Sequence, residues 1–273
     1  MSSPRFALNH IVAPALPFAA FAALARGLGI AEVEIRNDLP GVALQDGTPA
    51  ATVRAEAAAA GVTILTINAL QRFENWNEQR AAEAVALADY AQASGARALV
   101  LCPTNDRADP RRAAEKAAGL RAALTALQPI LAARGLIGLI EPLGFAECAL
   151  RRKRTAIDAI DATGTGDTLF VVHDTFHHFL AGEQEVFATR TGLVHISGVE
   201  DAGLPHDAIR DANRVLVGPA DILGNVPQLR RLLAEGYGGP VSFEPFSAEV
   251  HALADIGGAV TASIGFVTAG LAA

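Results

Sequence analysis

The stretch from Ile137 to Asp174, IGLIEPLGFAECALRRKRTAIDAIDATGTGDTLFVVHD, contains one strand, one helix and a second strand. Ile137–Glu141 and Thr168–His173 are short runs dense in Ile, Leu, Val and Phe, with no alternation of polar residues. Such runs suit parallel strands covered on both faces. Arg152–Ala162 between them has helical character, and Thr163-Gly164-Thr165-Gly166 reads as a turn because it precedes a strand instead of opening a helix.

The same unit recurs in both directions from this stretch. Upstream, the expected strands are Phe6–Val12, Glu32–Arg36, Val62–Asn68 and Ala98–Cys102; downstream they are Leu193–Ile196 and Val241–Glu244. Glu32–Arg36 alone alternates. The expected helices are Pro17–Leu28, Pro49–Ala60, Asn77–Ser94, Pro110–Arg134, Arg152–Ala162, Phe179–Thr189, Asp221–Glu235 and Glu249–Ala269. Asp109 before Pro110 is a candidate N-cap, and Gly61, Gly135 and Gly236 close helices. Strand and helix alternating eight times, with no composition break, predict a (β/α)8 TIM barrel of class α/β as a single domain over residues 1–273. A doubly wound open sheet is the competing architecture, but it rarely reaches eight units.

Composition narrows the function. With 22 basic and 29 acidic residues the net charge is −7, which offers no broad basic surface to a nucleic acid. Only Lys116 and Lys153 are lysines, both in charged helical stretches, which argues against Schiff-base chemistry. Cys102 and Cys148 are too few for a disulfide framework or a thiolate zinc site. No GxGxxG or GxxxxGK[ST] follows the first strand. Met1-Ser2-Ser3-Pro4-Arg5 lacks a signal-peptide layout, and the uncharged stretch 256–273 is too poor in Leu and Ile for a membrane span. A soluble cytoplasmic protein without membrane or nucleic-acid partners is expected; assembly with further copies of itself is compatible with this reading.

Active sites of such barrels gather at the C-terminal strand ends. There the sequence delivers Glu141 before Pro142, Asp174 after His173, His195 in Val194-His195-Ile196, and Glu244 before Pro245. Carboxylates at the ends of apolar strands are costly to bury without a positive partner. Three carboxylates and one imidazole suit a divalent cation, Mn²⁺ first, with Mg²⁺, Co²⁺ or Zn²⁺ also accommodated.

Glu141-Pro142, His173-Asp174 with His177, His195 and Phe243-Glu244-Pro245 resemble the motif set of the xylose-isomerase-like TIM-barrel superfamily. Its members include sugar isomerases, ketose 3-epimerases and hydroxypyruvate isomerase. Within it, 33–38 (VEIRND), 67–70 (INAL) and 195–198 (HISG) are most similar to inosose (2-keto-myo-inositol) isomerases. The resemblance implies Glu141, Asp174, His195 and Glu244 as metal ligands. It also implies His177 as a hydrogen-bonding partner of a substrate oxygen, and Arg214, with Arg210 as the alternative, as a contact to a substrate hydroxyl. Gly218-Pro219-Ala220 departs from the family's usual Gly-x-Gly there.

The same residues suit a carbonyl shift between neighbouring carbons, which needs one proton removed and one returned through an enediolate. A metal stabilises that charge. Glu141 and Glu244 flank the metal and can shuttle the proton, Glu244 as the base on carbon and Glu141 as its partner. The expected substrate is a neutral polyol ketone, most of all inosose. The alternatives are a ketose 3-epimerase, a hydroxypyruvate isomerase or an inosose dehydratase; a multi-zinc phosphodiesterase of the endonuclease IV type needs more rim ligands and a basic face.

His10 and Asn68 are expected to face a polyol. Phe73 and Trp76 either wall the substrate or pack beneath their loop, and Arg36 binds hydroxyls or pairs with a rim carboxylate. His173 points away from the barrel interior, His178, His206 and His251 belong to the surface, Cys102 is a small buried thiol, and Arg151–Arg154 is a solvated helix start.

Overall fold

A computed structural model describes residues 4–39 and 44–273; Met1–Ser3 of the N-terminal stretch lie outside them. The strands are β1 (Arg5–Asn9), β2 (Glu32–Arg36), β3 (Thr63–Gln71), β4 (Ala98–Cys102), β5 (Ile137–Ile140), β6 (Leu169–Asp174), β7 (Thr191–Ile196) and β8 (Pro240–Phe243). Each pairs in parallel with the next, and β1 closes on β8 with Ala7 opposite Ser242, giving the closed (β/α)8 barrel.

The pleat sorts the side chains. Ala7, Val100, Leu139, Val172 and Leu193 form an apolar plug inside the barrel. Two residues further along the same strands stand Asn9, Cys102, Glu141, Asp174 and His195. A period of two keeps them on the same inward face, one layer nearer the C-terminal mouth. The intervening residues Leu8, Leu99, Leu101, Ile140, Val171, Val194 and Phe243 face outward into the larger core under the helices.

Around the barrel run α1 (Phe18–Gly27), α2 (Ala50–Ala60), α3 (Glu78–Ser94), α4 (Ala113–Ala132), α5 (Lys153–Thr163), α6 (Thr175–Ala181), α7 (Asn225–Ala234), α8 (Ala248–His251) and α9 (Ile256–Ala272). Among the described residues no helix is long and apolar enough to cross a membrane.

Several boundaries differ from expectation. The first strand stops at Asn9, whose side chain accepts from the Ile11 N–H and starts a 3-10 turn over His10–Val12. The helix expected over Phe179–Thr189 is α6: Asp174 caps it, its Oδ1 accepting from the N–H groups of Phe176 and His177, and Gly182 ends it at φ 60°. The last expected helix is two, because Asp255 opens α9 by accepting from the Gly258 N–H. Pro110 precedes α4 without opening it, and Asp109 accepts from Arg111 while Glu115 accepts from the Arg112 N–H. Asp221 lies before α7, accepting from the N–H groups of Val199, Leu223 and Asn225. Lys153 is not solvated; it is buried against Glu183 and the half-buried His178.

Candidate metal centre

Glu141, Asp174, His195 and Glu244 come from four consecutive strand ends and are all buried. One ligand atom from each lies within 4.8 Å of the others. The backbone prepares this convergence: the Glu141 N–H donates to Leu101 O at 3.1 Å and the Glu244 N–H to Ile196 O at 2.9 Å, so the ladder carries each acid past its strand end. His195 turns Nδ1 toward Glu141 Oε1 at 2.7 Å and Glu244 Oε2 at 3.2 Å, with Asp174 Oδ2 at 4.0 Å.

Two buried arginines brace these acids. Arg214 Nη2 donates to Asp174 Oδ2 at 2.7 Å and Glu244 Oε2 at 2.9 Å, while its Nε donates to Ser197 Oγ at 2.9 Å. Arg36 Nη1 donates to Glu244 Oε1 at 3.0 Å. Both guanidiniums lie over the Phe246 ring, at 5.1 Å for Arg36 and 4.7 Å for Arg214. Arg36 thus takes the ion-pair role. Arg210 stays outside the cluster and donates to the carbonyls of Asp207 and Ile209.

A further acid lies on the barrel side of His195. Glu34 is fully buried, and both its carboxylate oxygens are 3.2 Å from His195 Nε2. Reading the sequence for acids at strand C-termini passed over it because it sits mid-strand; its signal is the alternation Glu32, Glu34, Arg36 on one face of β2.

Charge explains why these groups tolerate burial. Burial disfavours a charged His195, but the fields of Glu244, Glu34 and Glu141 outweigh it and raise its pKa well above the ordinary value. Burial likewise opposes ionisation of Glu244, and His195 with Arg214 overcomes it, holding the carboxyl far below the usual range. Four buried carboxylates (Glu34, Glu141, Asp174, Glu244) face two buried guanidiniums (Arg36, Arg214), which are themselves shared with Asp38 and Asp211. A divalent cation would offset part of that negative excess, and three oxygens with one nitrogen form a suitable donor set.

Above the quartet opens a cavity of about 220 Å³ lined by Arg36, Asn68, Gln71, Cys102, Asn105, Glu141, Leu143, Phe145, His177, Asp211, Arg214, Glu244 and Phe246. His177 Nδ1 is buried without a hydrogen-bond partner among the described residues. Asn68 Nδ2 donates to Glu244 Oε1 at 3.3 Å, and the Cys102 thiol to Glu141 Oε2 at 3.4 Å.

Other expected rim residues lie elsewhere. His10 is stacked on Phe21 at 4.3 Å with Nε2 on Leu16 O, because the turn after β1 folds its ring outward. Trp76 packs on the outer core and Phe73 is fully buried within it, so their loop's aromatics anchor the loop instead of lining the cavity. His173 points away from the barrel interior, as expected, and faces α7 with Nε2 2.9 Å from Gln228 Oε1. A larger groove of about 420 Å³ beside α3, lined by Leu70, Leu87 and Tyr90 among others, contains no comparable acid–imidazole cluster among the described residues.

Known proteins share this architecture. A xylose isomerase domain containing protein from Salmonella typhimurium is 33% identical, with a TM-score of 0.89 over 100% of this chain and 99% of that one. The IolI protein, solved with a bound zinc atom, is 20% identical, with a TM-score of 0.85 over 98% of each chain. D-Psicose 3-epimerase from Clostridium cellulolyticum H10 is 15% identical, with a TM-score of 0.75 over 98% of this chain and 99% of that one. No curated protein matches significantly. The family model for the xylose isomerase-like TIM barrel matches residues 22–266, and the chain belongs to that family.

Proposed function

We propose that the chain is a metal-dependent isomerase of a neutral polyol ketone, with inosose as the favoured substrate, working by 1,2-proton transfer. The observation that carries this reading is the convergence of Glu141, Asp174, His195 and Glu244 beneath a small polar cavity. At about 220 Å³ the cavity lies below the roughly 300–1,000 Å³ range of drug-sized ligand sites, which fits a compact substrate. Its two arginines are already paired with acids, leaving no free cationic cradle for a phosphate.

A divalent cation, Mn²⁺ first among the candidates, would be held by the quartet and would stabilise negative charge on the substrate's carbonyl and adjacent hydroxyl oxygens. The chain's own residues do the rest. His177, with an unpartnered buried ring nitrogen, offers a hydrogen bond to a substrate oxygen. Asn68 lies on the cavity wall beside Glu244 and orients a hydroxyl. Glu244 is ionised at rest and takes the proton from carbon. Glu244 then gives that proton to the neighbouring carbon, while Glu141, which carries no arginine contact among the described residues, takes the proton of the adjacent hydroxyl and returns it to the former carbonyl oxygen. The same pair of carboxylates would serve 3-epimerisation, the second reading.

NMR of the metal-loaded enzyme in deuterated water, with inosose, fructose and hydroxypyruvate in separate tubes, tests the proposal. New signals carrying deuterium at the proton-receiving carbon are expected with inosose, and Glu244→Gln should slow them by about 10²–10⁴-fold. Product formed without label in every repeat would refute the proton-transfer scheme, and turnover of fructose alone would refute the substrate.

A further inference from the structure

His195 has two faces. Nδ1 looks toward the cavity acids, whereas Nε2 points to the far side, 3.2 Å from both oxygens of Glu34. Glu34 is held from four strands besides its own. Asn9 Nδ2 of β1 donates to Oε1 at 3.4 Å, the Thr66 hydroxyl of β3 donates to Oε2 at 2.6 Å, the Ser242 hydroxyl of β8 donates to Oε1, and His195 of β7 supplies the fourth.

A carboxylate offers about four lone-pair positions. These donors occupy them, so Glu34 has none to turn toward the cavity, and it does not line it. An acceptor in that position requires a hydrogen on Nε2; Nδ1 faces the acids Glu141 and Glu244 and is the nitrogen that would give up its hydrogen to a cation held among them. The ring is also held at both ends, Nε2 against Glu34 and Nδ1 against Glu141 at 2.7 Å.

We propose that Glu34 is a positioning residue for the metal: it locks His195 as the Nε2–H tautomer and presents Nδ1 as the ligand. The proposal rests on the reading of the quartet as a metal site, and is independent of which polyol is turned over. A carboxylate behind a ligating imidazole orients the ring and raises its basicity, and loss of such a partner typically weakens metal binding 10–100-fold.

The test uses the full chain loaded with Zn²⁺. Long-range proton–nitrogen NMR of the ¹⁵N-labelled protein should show His195 Nε2 carrying a slowly exchanging proton and Nδ1 shifted by zinc. Zinc on Nε2 would overturn the proposal without any variant being made. Glu34→Gln offers an amide to donors that need an acceptor, so its zinc Kd, read against a chromophoric chelator, should rise about 10–100-fold with the far-UV spectrum unchanged. A Kd equal to the wild type's would overturn the proposal, because a purely structural Glu34 would move the melting temperature alone. Absence of zinc binding by the wild-type chain would instead overturn the metal-site reading, and this proposal with it.

Discussion

Replacing Arg214 with methionine tests how the buried charges are balanced. The unbranched side chain retains much of the packing between Phe176 and Phe246, whose rings lie 4.8 and 4.7 Å from the guanidinium carbon. It removes the cation that Asp174 and Glu244 share at 2.7 and 2.9 Å. Breaking a buried ion pair by deleting one partner destabilises by about 3–5 kcal/mol. With an unfolding entropy of about 2.1 cal/mol/K per residue, 273 residues give about 0.57 kcal/mol/K. The metal-free variant should therefore melt about 5–9 °C below the wild type. A cation bound only by the folded chain returns about 2.7 kcal/mol at one hundred times its Kd, or about 5 °C. Scanning calorimetry in EDTA, then in excess Mn²⁺, reads both effects. A fall in EDTA of under about 2 °C would refute the assignment of Arg214 as the counter-charge of these acids.

Two further outcomes follow from the same geometry. Asp174→Ala and His195→Ala should each lose most of the divalent metal that copurifies or is added, as read by elemental analysis after desalting; wild-type content in both would refute the quartet as the site. His10 supplies a pH test, because burial lowers its pKa to about 4 against the opposing pull of its hydrogen bond to Leu16. The unfolded imidazole titrates near 6.5, so the unfolded chain binds more protons below that pH. Stability is therefore complete above about 6.5 and lost as pH falls toward 4, by about 2.5 kcal/mol at pH 4.5. Urea midpoints at pH 7 and 4.5 should lie closer together in His10→Phe, and an unchanged gap would refute the account.

The barrel and the quartet were legible in the chain, and for one physical reason. Parallel strands buried on both faces must be continuous apolar runs, so a Glu, Asp or His at the end of such a run stands out as a group that needs a partner. Glu141, Asp174, His195 and Glu244 were read that way, and the fold brings them together. The same logic missed Glu34, because an acid in the middle of an alternating strand looks like a solvated edge until β2 is known to be paired on both sides. Short helices were also displaced: α6 begins at Thr175 because Asp174, the acid read as a ligand, also caps it.

What the amino-acid sequence determined by itself was periodicity and chemistry: eight strand–helix units, the residues at their ends, and the poverty of lysine. Those properties are local, set by which side chains recur along the backbone. Only the tertiary structure decided which groups meet. It turned His10 out onto Phe21, sent Trp76 under its loop, and put Arg214 rather than Arg210 between Asp174 and Glu244. It also set Glu34 behind His195, 161 residues away in sequence. Such pairings depend on strand tilt and on which way a loop carries its side chain, and these are fixed only when the barrel closes and every buried charge must find its counterpart.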